Sequence, residues 1–171
     1  MAGPLQITYR FLITCLLFGL LSAQEKWNYS ADEMEQIKVN GQKIRRLKEN
    51  VRFVKTDQII ITDNAVQYIA DDVLYMNGNT IMIKGLDTLT CDSMVYWSEL
   101  DSGYAMGKVH YIQPENDRRL TTELFHYWQT AGYRRSSFFT KGYTLITEHD
   151  QRISANEIRY DDYRQVMTLI D

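Results

Sequence analysis

Proline and cysteine are both scarce in this chain, and the shortage of cysteine limits the ways in which the fold can be stabilised. Its 171 residues include two prolines, Pro4 and Pro114, and two cysteines, Cys15 and Cys91. Only Cys91 follows the first 23 residues, so the rest of the chain cannot form an internal disulfide. Its stability must therefore come from strand pairing and from burial of apolar side chains.

Residue patterns that carry chemistry are also scarce. The three histidines, His110, His126 and His149, do not form the closely spaced pairs that zinc sites show. No Gly-x-Ser-x-Gly elbow and no glycine-rich phosphate loop occurs. Basic residues cluster only in residues 43–48 and 134–135, and the formal net charge is −3, which disfavours nucleic acid as the main partner. The sequence therefore predicts neither an enzyme nor a metal or cofactor site.

A long apolar run is present only at the beginning of the chain. Arg10 precedes the run of residues 11–21, and Leu21-Ser22-Ala23 is typical of a signal-peptide cleavage site. We therefore expect residues 1–23 to act as an export signal and residues 24–171 to form the folded domain. A membrane anchor that stays uncut is the alternative, although the run is shorter than the roughly 20 residues that a spanning helix needs.

What the rest of the chain does have is an internal repeat. A polar residue after a strand-like run recurs at steps of 29, 31 and 33 residues: Asp63, Asp92, Glu123 and Asn156. A second landmark keeps the same phase at two steps of 29 residues: Asn50, Asn79 and Lys108. Each unit of such a repeat buries its apolar face against its neighbours, and residues 29–35 have the features of a worn first copy. We expect the first-landmark residues to bond backbone groups at a turn or bulge rather than to act in catalysis.

Alternating side chains predict that nearly everything from Val51 onward is β-strand. The segments are rich in Val, Ile, Thr, Tyr, Phe and Trp, they are separated by Asn, Asp and Gly, and no helical period appears there. Upstream, Asn40-Gly41 predicts a tight hairpin turn between two strands. Residues 33–47 also admit a short helix, with Ile44 and Leu47 on one side.

The repeat also aligns apolar columns around the first landmark. Three residues before it stand Ile60, Leu89, Leu120 and Ile153. Two residues after it stand Ala65, Met94, Phe125 and Ile158, and four residues after it stand Gln67, Tyr96, Tyr127 and Tyr160. The distance from the first column to the second is an odd number, five, which would place them on opposite faces of a straight strand.

Two sheet geometries are compatible with that spacing. If both columns face one interior, every strand bends or bulges near the landmark, and the stacked bends form a folded sheet with a trough inside. A flat sheet that is buried on both faces is the alternative.

These motifs resemble those of the OstA-like/LptA family of lipopolysaccharide transport. The matching residues are 89–97 with Gly107-Lys108-Val109, 61–65 with Gly78-Asn79-Thr80, and Glu49-Asn50-Val51, within an overall resemblance over residues 28–171. The resemblance implies an all-β, periplasmic domain of stacked antiparallel strands bent into an open β-jellyroll, or β-taco. It also implies a groove for the acyl chains of lipopolysaccharide, and end-to-end stacking into a bridge or a place in the outer-membrane translocon.

Later units depart from the family pattern. Glu123 and Asn156 stand where the family has aspartate, and Lys108 and Tyr143 stand where it has asparagine after glycine. These departures leave the predicted fold unchanged but weaken any claim to orthology. Because the family includes longer proteins that begin in this way, residues 24–171 are either the whole domain or the N-terminal part of a longer protein.

The predicted groove is lined by apolar and aromatic side chains. They are Phe53, Ile60, Ile81, Leu89, Met94, Tyr96, Tyr111, Leu120, Phe125, Tyr127 and Ile158. Each CH₂ group moved out of water contributes about 0.8 kcal/mol, so such a groove can carry a lipid across an aqueous space without chemistry. The alternative is a core filled by these same side chains, in a structural scaffold or an interaction module.

The last strand-like run, residues 164–171, predicts a sheet edge. Val166, Met167, Leu169 and Ile170 make this edge apolar, and it lacks the Lys or Pro that commonly guards an edge strand. We expect it to pair with a strand of another lipopolysaccharide-transport protein or of a second copy of the chain. The predicted partners are thus lipopolysaccharide or a related lipid, and proteins that stack on the sheet.

Overall fold

The computed structural model describes residues 27–129 and 136–171, so the predicted export signal, residues 1–23, lies outside the described residues. The described residues form eleven β-strands and one short 3₁₀-helix at Pro114–Asn116. The strands are β1 (Asn28–Ser30), β2 (Glu33–Val39), β3 (Gln42–Val54), β4 (Gln58–Tyr68), β5 (Val73–Lys84), β6 (Asp87–Trp97), β7 (Ser102–Gln113), β8 (Arg118–Gln129), β9 (Ser136–Glu148), β10 (Gln151–Asp161) and β11 (Val166–Ile170). In this part of the chain no helix has the length and hydropathy to cross a membrane.

All eleven strands belong to one antiparallel sheet. Its order follows the chain from β3 to β11, while β1 and β2 both pair with β3, β1 along residues 52–54 and β2 along residues 42–48. The sheet is open, with β1 and β2 at one edge and β11 at the other. The predicted all-β fold of stacked antiparallel strands is therefore confirmed.

The predicted hairpin turn at Asn40-Gly41 joins β2 to β3. Both residues have positive φ, 50° and 85°, and Val39 pairs directly with Gln42. Two residues in the left-handed region match the twist of the flanking strands, which is why Asn-Gly suits this turn. Residues 33–47 are therefore strands joined by a turn, and the short helix that their apolar spacing also admitted does not form.

The register of every strand pair from β3/β4 to β9/β10 shifts once along its length. On β4 the shift lies between Ile61 and Asn64, at the first landmark of the repeat. On β5 it lies at the second landmark, where Gly78 and Asn79 have positive φ of 85° and 43°. An irregularity of this kind bends a strand and changes the face that the following side chains occupy.

These shifts divide the sheet into two arms along a fold line. The first arm contains β1 and the strand halves that meet at the turns β3–β4, β5–β6, β7–β8 and β9–β10. The second arm contains β2, β11 and the halves that meet at the other turns. The buried side chains of both arms form one hydrophobic cluster between them. The bend expected from the odd column spacing is therefore present, and the sheet is not flat.

Candidate functional site

At the fold line a carboxylate lies directly over a glycine in successive repeats. A Cβ atom placed on Gly78 would stand 2.9 Å from the Cβ of Asp63, closer than real Cβ atoms approach. Gly78 also has a φ of 85°, which residues with a side chain rarely adopt. The same arrangement joins Asp92 to Gly107 and Glu123 to Gly142. The repeat therefore needs glycine here for space as well as for backbone conformation.

Side chains of the second landmark contact these carboxylates. Asn79 Nδ2 donates to Oδ2 of Asp63 over 2.8 Å, and Lys108 Nζ lies 3.9 Å from Oδ1 of Asp92. Asn156, the last residue of the first landmark, lies in the register shift between β9 and β10. The landmark residues therefore lie at the bulges on the exposed outer side of the fold line, but Asp63 and Asp92 contact side chains there rather than the backbone groups that we expected them to bond.

Asp32 is a further member of this series that sequence reasoning did not name. Its Oδ2 accepts a hydrogen bond from Asn50 Nδ2 over 2.6 Å, and its backbone N–H donates to the carbonyl of Glu49 over 3.0 Å. Asp32 stands 31 residues before Asp63, so the repeat step itself was the signal that could have located it. Within residues 27–129 and 136–171, no group of His, Cys, Asp or Glu side chains is arranged to hold a metal ion.

Ten of the eleven predicted groove residues face the space between the arms. Nine are buried in the common cluster, and Tyr111 is half-buried against it. The nine are Phe53, Ile60, Leu89, Met94, Tyr96, Leu120, Phe125, Tyr127 and Ile158. The repeat columns therefore locate the inner surface of both arms.

Ile81 is the exception, and its predicted place in the groove is wrong. It lies half-buried on the outer face, opposite Thr90, while its neighbour Met82 is buried in the cluster. Because the bulge resets the alternation of side chains, the inward positions after it are found by counting from the second landmark. Three residues after that landmark come Phe53, Met82 and Tyr111 in successive repeats. The repeat therefore indicates Met82 as the inward residue, whereas the local alternation of apolar residues did not distinguish it from Ile81.

Aromatic side chains fill the space between the arms. The ring of Phe125 lies 5.4 Å from that of Tyr111 on the opposite arm, 5.5 Å from Phe138 and 5.9 Å from Tyr127. The Tyr127 hydroxyl reaches across the interior to the sulfur of Met82 over 3.3 Å. In this state the arms are therefore in contact through their own side chains.

Polar side chains also join the tips of the arms at the β3–β7 end. The Tyr96 hydroxyl on the second arm lies 2.9 Å from Oδ1 of Asp101 and 3.1 Å from Oε1 of Gln58 on the first arm. Lys84 of the first arm forms an ion pair with the other oxygen of Asp101. We call Gln58, Lys84, Tyr96 and Asp101 the clasp. These contacts close the gap between the tips of the two arms at this end of the interior.

Trp27 covers the same end of the interior. Its ring packs edge-on against Phe53 of the first arm at 6.0 Å and against Tyr96 of the second arm at 6.2 Å. Its indole N–H donates to Oγ of Ser98 over 2.8 Å, and Lys55 of the first arm donates to the same oxygen over 2.6 Å. No spacing or periodicity in the sequence indicated that Trp27 belongs to the site.

The opposite end, near β8 to β11, keeps a small opening between the arms. A cavity of about 50 Å³ lies there, and Phe138, Tyr160 and Met167 of the second arm line one side of it. On the first arm Arg118 donates from two nitrogens to Oε2 of Glu148, over 3.0 Å and 2.8 Å. The two ends of the interior therefore differ, since one is closed by the clasp and the other is partly open.

Buried hydroxyl groups line the inside of the fold line. Thr62 and Thr80 share a hydrogen bond of 3.0 Å, and Thr122 and Thr144 share one of 2.9 Å. Cys91 takes the equivalent place in the repeat between them, and burial raises the pKa of its thiol to about 11. No buried side-chain N or O atom of the described residues is without a hydrogen-bond partner. The polar groups here are saturated, which leaves apolar surface as the chemistry available to a ligand.

The phenol groups of the interior are held uncharged. Desolvation by burial raises the pKa values of Tyr96, Tyr111 and Tyr127 well above the ordinary value. The carboxylates of Asp101 beside Tyr96 and Asp87 beside Tyr111 raise the pKa values of those two phenols further. These groups therefore stay protonated at neutral pH, and they contribute ring surface to the interior rather than charge.

No protein-family model matches this chain, and no curated protein sequence matches it. The resemblance described above therefore rests on the repeat motifs. A function for the chain has to be inferred from the two arms and the space between them.

Proposed function

We propose that the chain is a periplasmic lipid-binding module for transport of lipopolysaccharide to the outer membrane. The arms part to admit acyl chains, which then replace the contacts between the two inner apolar faces. Export through residues 1–23 delivers the domain to the compartment in which such a lipid needs a carrier. The module works by burial and needs neither catalysis nor a cofactor.

The observation that supports this proposal best is how the arms are joined. Among the described residues, the backbone ladders run within an arm or end at the fold line, and the contacts across the interior come from side chains. Parting the arms therefore breaks no ladder and needs movement only at the bulges, where the strands already bend. Two apolar faces that can part suit acyl chains, because each CH₂ removed from water contributes about 0.8 kcal/mol.

The clasp sets the closed state without making it permanent. The Lys84 side chain is 40% exposed and that of Asp101 is 19% exposed, so water screens their attraction. Pairs of this kind contribute on the order of 0–1 kcal/mol, which the burial of a few CH₂ groups offsets. Trp27 adds an apolar contact with both arms, and a bound lipid would have to displace it at this end. Entry at the β8–β11 end, where the cavity lies, meets less resistance.

The β11 edge supports the proposed protein partners. All five residues of β11 are exposed, and β11 pairs only with residues 157–161 of β10. Residues 151–155 of β10 pair with β9 on one side and have no strand on the other side in the described part of the chain. At the β2 edge, in contrast, Glu33 pairs with Lys48 over 3.5 Å, and charge guards the strand. Strand addition at β11 would continue both the sheet and the interior into a neighbouring lipopolysaccharide-transport protein.

A second candidate is a structural scaffold or interaction module whose core stays filled. One observation favours it: the cavity between the arms is about 50 Å³. Sites that hold small ligands typically enclose about 300–1,000 Å³, so this interior accepts a ligand only if the arms part. In the scaffold alternative the arms remain together, and only the sheet edges and the outer surface make contacts.

Photocrosslinking in the cell envelope separates the two candidates. The full chain, exported in a bacterium that makes lipopolysaccharide, would carry p-benzoylphenylalanine at Phe125 in the interior or at His110 on the exposed outer face of the first arm. We expect a lipopolysaccharide adduct, identified by mass spectrometry, at Phe125 and not at His110. A folded protein that gives no lipid adduct at Phe125 would establish the scaffold instead.

A further inference from the structure

The outer face of the second arm carries an uncharged, aromatic surface that the proposed interior function does not use. It consists of alternate residues from 64 to 68 in β4, 73 to 77 in β5, 93 to 97 in β6, 102 to 106 in β7 and 124 to 128 in β8, with Phe139 of β9. We call this surface the outer strip. None of its positions is Lys, Arg, Asp or Glu. Its rings are Tyr68, Tyr75, Trp97, Tyr104, Trp128 and Phe139, together with the imidazole of His126.

Four rings of the outer strip form a row across β6, β7 and β8, and Tyr68 and Tyr75 form a separate pair 5.4 Å apart. Tyr104 and His126 stack with ring centres 3.9 Å apart and planes 7° apart. Trp128 lies 5.0 Å from His126, and Trp97 lies 5.9 Å from Tyr104 at 73°. Phe139 pairs with His126 in the strand register. Because each ring rests on its neighbours, the row is rigid and a ligand orders few side chains when it binds.

The polar edges of these rings are available to a ligand. Within the described residues, the indole N–H groups of Trp97 and Trp128 and the hydroxyl of Tyr104 make no hydrogen bond to protein. Asn77 and Ser93 lie on the same surface and offer amide and hydroxyl groups. Burial lowers the pKa of His126, so its imidazole is neutral at neutral pH. The strip thus combines apolar ring surface with uncharged donors and acceptors.

The charge around the outer strip excludes several partners. Asp72, Glu99 and Asp101 lie in the turns that border it on one side. At one end Arg159 is paired with Glu157 over 2.7 Å. Basic residues also flank the strip: Arg46 and Lys48 of β3 lie beside Val66 and Asn64, Lys141 of β9 lies beside Leu124, and Arg159 lies over the Phe139 ring. Because Arg46, Lys48 and Arg159 are each paired with a glutamate and the strip itself has no basic residue, it lacks the unpaired positive charge that attracts nucleic acid and anionic lipid surfaces. The partner that fits this surface is uncharged.

The shape of the outer strip excludes a stable dimer. Six strands spaced about 4.8 Å apart, and five residues along each strand, give a surface of roughly 24 Å by 13 Å, or about 300 Å². A stable protein interface covers about 800 Å² on each partner, more than twice this area. A narrow surface of this size suits an extended chain rather than a globular partner.

We propose that the outer strip binds a neutral, linear glycan. The C–H faces of sugar rings pack on the aromatic row, and sugar hydroxyls bond the ring edges and the amide and hydroxyl side chains beside them. A glycan meets each condition, because it is uncharged, extended, and alternates apolar faces with hydroxyl groups. The inference does not depend on the interior, which lies on the opposite face of the sheet.

Titration of the full chain with neutral linear hexasaccharides tests this proposal. Cellohexaose and maltohexaose serve as probes, and binding is followed by calorimetry and by NMR shifts of the strip residues. We expect binding that Trp97→Ala weakens about tenfold. Tyr75→Ala, at a ring that is 46% exposed, gives a second variant with little cost to folding. Ile81→Ala, on the outer face of the first arm, is the matched control and should bind like the unaltered chain.

Three results would overturn the proposal. The first is the absence of binding of both hexasaccharides at millimolar concentration by a folded protein. The second is binding that neither Trp97→Ala nor Tyr75→Ala weakens. The third concerns the same two variants: they keep sugar binding but no longer float with anionic phospholipid vesicles, or no longer form dimers, although the unaltered chain does. Photocrosslinking at Phe125 reports separately on the interior, so the two proposals can fail independently.

Discussion

Asp63 of β4 lies over the α-carbon of Gly78 of β5, and each residue fixes the other. The carboxylate fills the space that a side chain at Gly78 would occupy, and it accepts a hydrogen bond from Asn79 over 2.8 Å. A single carboxylate therefore bonds the bulge and enforces glycine at its centre. Because the pattern recurs in successive repeats, the fold line is set by the same local contact several times over.

Gly78→Ala is expected to destabilise the fold more than Gly41→Ala does. Both glycines have a φ of 85°, but a Cβ on Gly41 would meet nothing within 4 Å. Gly41→Ala should therefore cost only the left-handed penalty of about 1–2 kcal/mol. Gly78→Ala adds the clash with Asp63 and should cost about 3 kcal/mol or more. Urea unfolding measures both, and equal losses would show that Asp63 does not restrict Gly78.

Ile81→Asp and Met82→Asp are expected to differ, although the residues are neighbours. Met82 is 5% exposed and faces the interior, where its neighbours Gln58 and Tyr127 offer only neutral donors, so a buried carboxylate there should cost at least about 3 kcal/mol. Ile81 lies on the outer face, where a charge stays hydrated and should cost about 1 kcal/mol or less. Thermal and urea unfolding of the two variants decides the matter. A larger loss for Ile81→Asp would mean that the inward register of β5 is misassigned.

Tyr96→Phe is expected to loosen the clasp. The change removes one hydroxyl that lies 3.1 Å from Gln58 and 2.9 Å from Asp101, and it leaves the buried Gln58 and the half-buried Asp101 without that donor. The free energy of unfolding should fall by about 1–3 kcal/mol. Tyr75→Phe removes an exposed hydroxyl and serves as the control, with little change expected. Hydrogen exchange should also speed up at the tips of β4 and β6; unchanged exchange there would argue against a clasp.

Alkaline pH is expected to destabilise the fold. Burial raises the pKa values of Tyr96, Tyr111 and Tyr127 in the folded state, whereas phenols of the unfolded chain titrate near pH 10. Above about pH 10 the unfolded chain releases protons that the folded protein retains, so stability falls as pH rises and is fully present below that point. Urea unfolding between pH 8 and 11 measures the slope. Tyr111→Phe should reduce it, and Tyr143→Phe, at an exposed position, should not.

The β11 edge is expected to cause concentration-dependent association of the chain. Met167→Pro should suppress the association, because proline removes an N–H group and interrupts the ladder of an edge strand. Leu86→Ala removes a side chain that is 64% exposed and lies away from the edge, so it should leave the association unchanged. Light scattering over a range of concentrations is the measurement. A chain that stays monomeric throughout, or one that Leu86→Ala dissociates equally, would point away from strand addition.

The spacing of apolar residues within each repeat indicates the bend of the sheet. Leu89 and Met94 stand five residues apart, and both are buried in one cluster. Only an irregular strand can place side chains at an odd spacing on one face, so the register shift at Asp92 follows from the pattern. Bulge geometry is local, since it depends on a glycine or asparagine with positive φ and a carboxylate on the next strand. Local requirements repeat in the sequence wherever they repeat in the fold.

What the sequence could not give is how the two arms meet. Trp27 and Ser98 bond each other although 71 positions separate them, and Gln58 meets Tyr96 across 38 positions. These partners belong to different repeats and different arms, so no period or motif links them. Their contact depends on the angle at which the sheet folds, which sums the bends of many strands. For this reason the strands and the inner face followed from the sequence, whereas the clasp and the filled interior depended on the tertiary structure.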